Sequence, residues 1–405
     1  MMTDSLLQDA RAISDRIVSL RRAIHAEPEL GLDTPRTRDK VRADLADLPL
    51  EWAEGPSTTG AVATLKGSRP GPAVLLRGDM DALPMQEETG LDFASGISGR
   101  MHACGHDTHT AMLAGAARIL SARREELAGE VRFMFQPGEE GFHGARFMLE
   151  DGLLGGEGDV DRPLPEAAFA LHIMPNAPHG VIGSRPGALL AAADMVRIAV
   201  MGRGGHASMP HDTLDPVPVA CEIVGAIQTL VTRRFEAAEA VVVTITQLDA
   251  GSAHNIIPDE AVLTGTIRTL SPGKRKAVQA ALRQLAEGIA KAHAMEAEVT
   301  FTEGFPPTLN DPRAIDLGEK VANELGGPGA FLRMDHPIMG AEDFSYVLQK
   351  IPGAMYFLGV AAEGDDWSRC CGLHSSRMMV DEKVLPKGAA FLAACAARYL
   401  ARGWD

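Results

Sequence analysis

The chain has 405 residues, 45% hydrophobic and 23% charged, a balance found in ordinary globular proteins and far from disordered, collagenous or membrane compositions. Its length exceeds one usual core, so two or more domains are expected. A formal net charge of −15 with no local basic stripe argues against nucleic acid and anionic membrane surfaces as partners, and no uninterrupted apolar run is long enough to span a bilayer.

The first 22 residues mix Asp4, Asp9, Arg11, Asp15, Arg16, Arg21 and Arg22 with apolar side chains. They read as an amphipathic helix without the apolar centre of a signal peptide, and a cytoplasmic location is expected. Short apolar runs then alternate with helical patterns, the mark of an α/β sheet with crossover helices. A strand over 73–77 leads into Asp79 and Asp81. An Ala-rich buried helix is expected over 108–120. A strand over 131–135 leads into Glu139 and Glu140, and one over 168–171 into His172. Ligands bind outside the carboxyl ends of strands in such sheets, so these polar residues point to one shared site.

From Met195 the pattern changes. Val196, Ile198 and Val200 alternate as a strand; a helix follows over 216–233, then strands over 241–248 and 261–269. A helix opens with Ser271 as N-cap and Pro272 at its first position, and a last strand ends at Phe301. The order β-α-β-β-α-β is that of a ferredoxin-like unit. An inserted domain is therefore expected over 187–304, between the breaks Pro186-Gly187 and Gly304-Phe-Pro-Pro307, with 1–186 and 305–405 forming the other domain.

Five cysteines in a long chain argue against a disulfide framework. Cys221 and Cys395 lie in apolar helical patterns and read as small buried hydrophobes. Cys370 and Cys371 read as incidental loop thiols, with a redox pair as the alternative.

Between His102 and His109 stand three histidines, one cysteine and one aspartate, in a chain with 13 histidines. His102, Cys104 and His106 alternate, so in an extended loop they share a face, whereas His109 begins the next helix. Imidazole and thiolate suit a borderline metal such as zinc. Any one of these residues fits a hydrogen-bonded loop, but all of them together do not. Glu139 and Glu140 place two like charges at the end of an apolar strand, where a metal would balance them. One carboxylate can then bind an ion while the other serves as general base. Asp79 and Asp81 read as ligands, as orienters of a ligand histidine, or as turn formers. His172 and His374 are ambiguous alone.

Ordered motifs run nearly end to end: Arg22-Ala-Ile-His-Ala-Glu-Pro-Glu29, Arg77-Gly-Asp-Met-Asp-Ala-Leu-Pro84, the segment 101–109, Phe135-Gln-Pro-Gly-Glu-Glu140, Gly204-Gly-His-Ala-Ser208, Ala253-His-Asn-Ile-Ile-Pro258, Met339-Gly-Ala-Glu-Asp-Phe344 and Leu373-His-Ser375. In these the chain resembles the M20 metallopeptidase and amidohydrolase family, within it the cysteine-containing aminoacylases, hippurate hydrolases and indole-acetyl-amino-acid hydrolases. The resemblance implies a phosphorylase/hydrolase-like catalytic domain with an inserted lid and dimerisation domain. It implies two divalent ions (Zn, Mn, Co or Ni) held by Cys104, His106, Glu140, His172 and His374, with Cys104 standing where many relatives have a bridging aspartate. Glu139 then looks like the general base, Asp81 like the orienter of a ligand, and His206 like the group that stabilises the oxyanion. Asn255 and Arg268 look like the grip on a substrate carboxylate. Asp79 stands where many relatives have a histidine, and its role is left open. The implied enzyme is a homodimer that hydrolyses N-acyl or N-aroyl amino acids; a metallo-carboxypeptidase or dipeptidase, and a binding protein without catalysis, are the alternatives.

Overall fold

Nearly unbroken apolar runs form the central strands of the main sheet. In the computed structural model, which describes residues 2–156, 162–236 and 238–405, the strands Ala128–Gln136, Arg69–Asp79, Ala167–Met174 and Gly353–Gly359 lie side by side and parallel. They occupy the middle of an eight-stranded mixed sheet. Helices His106–Ala122 and Leu385–Arg402 are among those packed with this sheet, and Ser14–His25 packs on His106–Ala122. Strands covered on both faces need apolar residues at successive positions rather than alternate ones. Phe133, Phe135 and Phe169 are fully buried here, each contributing about 1.5–3 kcal/mol of hydrophobic stabilisation. The helix Leu385–Arg402 has the length and composition of a membrane span, yet 83% of its apolar window is buried.

Two glycines let the helix His106–Ala122 reach the sheet. A Cβ on Gly78 would meet the His109 carbonyl oxygen at 2.8 Å, so only glycine admits that approach of helix to strand. Gly105 caps the helix at φ +85°, where a Cβ would stand 2.4 Å from Ile173 Cδ1.

The chain divides into two compact units. One is Met1–Leu189 with Leu309–His336 and Asp343–Asp405; the other is Leu190–Thr308 with Pro337–Glu342. In the second, antiparallel strands lie in the order Glu296–Glu303, Ala192–Met201, Glu260–Thr269, Val241–Ala250. Helices Pro216–Arg234 and Pro272–Ala292 pack on this sheet over a core that includes Val196, Ile198, Ile223 and Leu282. Asp215 caps the first helix by accepting from Val217 N, and Ser271 the second by accepting from Lys274 N.

Three local expectations change. The second unit runs past 304 and regains 337–342, because Ala193 N donates to Phe305 O and Ala191 N to Gly340 O. Pro and Gly mark where a chain can turn, not which strand it stays bonded to. The amino terminus forms two helices, Met2–Ala12 and Ser14–His25, separated at Ile13. Cys221 is exposed rather than buried. Its helix buries Val219, Ala220, Ile223 and Ile227, and one residue on from Ala220 is about 100° round the axis, which turns Cys221 outward.

Candidate metal centre

Because the four central strands are parallel, their carboxyl ends share one edge of the sheet. Asp79 ends its strand and Asp81 follows it; Glu139 and Glu140 follow Ala128–Gln136; His172 lies near the end of Ala167–Met174. Cys104 and His106 arrive from the other direction, on the loop and first turn that Gly105 joins. His374 comes from a later loop in the left-handed region, at φ 63°, with its N–H donating to Ala103 O at 2.8 Å.

Donor atoms of these residues converge. Cys104, His106 and His172 present atoms within 4.8 Å of one another, and so do Cys104, Glu140 and His374. The thiol is common to both groups. His172 Nε2 lies 3.4 Å from Cys104 Sγ while its Nδ1 donates to Ile173 O at 2.6 Å, which leaves Nε2 as the basic nitrogen, able to bind a cation. His374 Nε2 lies 3.2 Å from Glu140 Oε1. His106 Nε2 stands 3.9 Å from Glu140 Oε1 and 4.0 Å from Glu139 Oε2. Both ring nitrogens of His106 and Oε1 of Glu140 are buried without a hydrogen-bond partner among the described residues, an arrangement that costs free energy unless a cation satisfies it. A thiol, three imidazoles and a carboxylate are a donor set fitted to a borderline divalent ion.

Carboxylates behind this set aim it. Asp81 accepts the backbone N–H of Glu139 at Oδ1 (2.9 Å) and of Glu140 at Oδ2 (3.1 Å), and its Oδ1 lies 3.5 Å from His106 Nδ1. One residue therefore holds both glutamates and faces the His106 ring. Asp79 accepts from His109 Nδ1 at 2.6 Å and from Arg77 Nη1 at 2.5 Å. His109 Nε2 in turn accepts from Ile173 N at 2.9 Å, so Asp79 and His109 brace the site rather than enter it.

The electrostatics describe a cage that asks for positive charge. Burial opposes the His106 imidazolium, but the Asp79 carboxylate and the Cys104 sulfur hold its pKa well above the ordinary value. The neighbouring Cys104 sulfur and Glu140 carboxylate raise His374 to about 10. Burial disfavours the Glu140 carboxylate, yet His374 and His106 keep its pKa low. Burial raises the Cys104 thiol and depresses His172 well below the ordinary imidazole range.

His206, Asn255 and Arg268 belong to the second unit. His206 and Asn255 are neighbours there: His206 pairs with Ile256, and Ala207 N donates to Asn255 O at 3.1 Å. His206 Nδ1 accepts from Ser208 Oγ at 2.8 Å, which leaves Nε2 to carry the proton. Arg268 lies half-buried on the strand Glu260–Thr269, opposite Ala193 and Val242.

The family model for peptidase family M20/M25/M40 matches residues 75–398. The chain belongs to this family. It is 39% identical over 394 residues to thermostable carboxypeptidase 1 of Saccharolobus solfataricus, covering 96% of each chain. It is 37% identical over 384 residues to N-acetylcysteine deacetylase of Bacillus subtilis, covering 95% of this chain and 96% of that one. Among solved structures, a Bacillus subtilis protein described as a dinuclear metal-binding peptidase of the M20 family superposes with a TM-score of 0.83 at 34% identity, over 97% of this chain and 99% of that one.

In this M20 chain, a buried network that motif spacing does not reveal supports the site. Arg77 Nε donates to Gln136 Oε1 at 2.9 Å and its Nη2 to Asp343 Oδ1 at 3.1 Å, while Gln136 Nε2 donates to Asp343 at 2.7 and 2.9 Å. Arg77, Gln136 and Asp343 all lie inside quoted motifs. An arginine within an apolar strand is itself a signal, since a buried charge needs partners.

Proposed function

We propose that this M20 enzyme hydrolyses the amide bond of N-acyl or N-aroyl amino acids, releasing a carboxylic acid and an amino acid. The observation that carries the reading is the pair of donor groups sharing Cys104, with the Glu139 carboxylate beside them. Cys104, His106, Glu140, His172 and His374 would hold two divalent ions, of Zn, Mn, Co or Ni. Such ions, when bound, supply Lewis acidity that polarises a carbonyl and makes water more acidic.

Glu139 is suited to take the proton of the attacking water and pass it to the leaving amine nitrogen. Its main chain is anchored to Asp81, and its buried side chain faces the ligand set. The second unit, with its ferredoxin-like order of elements, is proposed as lid and dimerisation domain. There His206 Nε2–H would stabilise the oxyanion, and Asn255 and Arg268 would grip the substrate carboxylate. Exposed Met195, Val242 and Ile256 on that unit support a homodimer.

Carboxypeptidase activity is the second reading, because the C-terminal residue of a peptide is itself an N-acylated amino acid with a free carboxylate. Only the walls around the acyl side distinguish the two substrates. The test is to strip the protein with a chelator, reload it with each ion, and screen N-acetyl, N-benzoyl and indole-acetyl amino acids against dipeptides. Hydrolysis lost on chelation and restored by an ion is expected; turnover insensitive to chelation refutes the proposal. Tight ligand binding without turnover would mark a binding protein instead. Cys370 and Cys371 carry free thiols; replacing both by serine should change activity only modestly, whereas a thiol redox protein would lose it.

A further inference from the structure

The motif around His25 takes no part in the chemistry above, yet its side chain points at the metal-binding loop. Asp107, the residue after the ligand His106, is fully buried. Its Oδ2 accepts from Arg21 Nε at 2.7 Å and from His25 Nδ1 at 2.8 Å. Both donors come from the helix Ser14–His25, and both are themselves buried. They are held from behind: Arg21 Nη1 donates to Glu382 at 3.0 Å, and His25 Nε2 lies 3.2 Å from Glu87. The Phe93 ring closes over the pair, 4.8 Å from the Arg21 guanidinium carbon and 5.6 Å from the His25 ring centroid.

We propose that Arg21 and His25 are positioning residues for the metal centre, fixing through Asp107 the rotation of the helix turn that carries His106. The inference rests on the metal-site reading given above. Successive residues on a helix are separated by about 100°, so His106 meets Asp79 and Asp81 on one side while Asp107 meets the two cations on another. Gly105, in the left-handed region just before this turn, gives the loop no stiffness of its own. Turning His106 away from its ligand position would draw Asp107 off both donors. A buried carboxylate that loses its partners is strongly disfavoured, which makes the rotation stiff.

The test compares the full-length protein with His25→Phe, which removes both ring N–H groups of His25, and His25→Asn, whose amide N–H can replace Nδ1–H. Metal affinity is read by competition with a chromophoric chelator, and ligand geometry by the visible spectrum of the cobalt-loaded protein; kcat and KM are measured alongside. His25→Phe is expected to bind the ion about 10- to 100-fold more weakly, with an altered cobalt spectrum, lower kcat and little change in KM. His25→Asn is expected to recover most of the affinity and the spectrum. If His25→Phe does not fold, Arg21→Lys, which keeps the charge but loses the planar fork, is read in the same way. A folded variant with wild-type affinity and spectrum overturns the proposal, and so does lower thermal stability with metal binding intact. Should the wild-type chain bind no divalent ion, the metal-site reading itself falls; should it bind while the variants bind equally, only the positioning role falls.

Discussion

His109 Nδ1 donates to Asp79 Oδ1 at 2.6 Å while His109 Nε2 accepts the Ile173 N–H at 2.9 Å. Neither nitrogen is left for an ion, although His109 stands three residues from His106, a proposed ligand. His109→Ala should therefore leave the number of bound ions unchanged. It strips a partner from the buried Asp79 carboxylate and leaves the Ile173 N–H unsatisfied, which should lower stability by about 1–3 kcal/mol. Urea unfolding together with metal analysis checks this. Loss of one ion with unchanged stability would assign His109 to the centre.

Glu139→Gln keeps size and hydrogen-bonding capacity but cannot take a proton. Hydrolysis should fall by roughly 10²–10⁴ in kcat, the usual contribution of a general base. Metal content should remain that of the wild type, since Glu139 is not among the proposed ligands. Steady-state kinetics on metal-quantified protein decides it.

Asp81→Asn tests the anchor of both glutamates. An amide offers only one acceptor oxygen, so one of the N–H groups of Glu139 and Glu140 loses its partner, and the charge facing His106 Nδ1 is removed. Metal affinity or activity should drop by about 10- to 100-fold. An unchanged dissociation constant, measured by chelator competition, together with unchanged kcat would show that Asp81 aims nothing.

Stability should depend on pH through His25 and Glu87. Burial opposes the His25 charge, but Asp107 and Glu87 raise its pKa from 6.5 to about 9; its contribution is complete below pH 6.5 and is lost as pH rises through about 9. Burial likewise opposes the Glu87 carboxylate, yet His25 and Thr89 lower its pKa from 4.5 to about 2. That contribution is present above pH 4.5 and lost as pH falls towards about 2. The difference in unfolding free energy between wild type and His25→Asn should thus be largest between these limits and shrink on the alkaline side. A constant difference from pH 6 to 10 would contradict the charged His25.

The strand-end chemistry was legible in the chain because it is written locally. Apolar runs ending in Asp79, Glu139, Glu140 and His172 follow from the period and burial of parallel strands, and the density of donors between His102 and His109 is visible without a fold. The motifs likewise carried the family. What no spacing states is which of several nearby donors face inward. Asp79 and Asp81 are two residues apart after one strand, yet the first is bonded to Arg77 and His109 and the second holds the backbone of Glu139 and Glu140. His102, Asp107 and His109 sit in the same segment as Cys104 and His106, yet Asp107 and His109 turn to other partners and His102 has no hydrogen-bond partner among the described residues. The exposure of Cys221 and the return of 337–342 to the second unit have the same origin. Residue type and periodicity are properties of a few neighbours along the chain, so the sequence by itself determines elements and candidate chemistry. Hydrogen-bond partners come from segments as far apart as Arg77 and Asp343 or Arg21 and Glu382, and only the packed sheet and helices decide which side chain meets which.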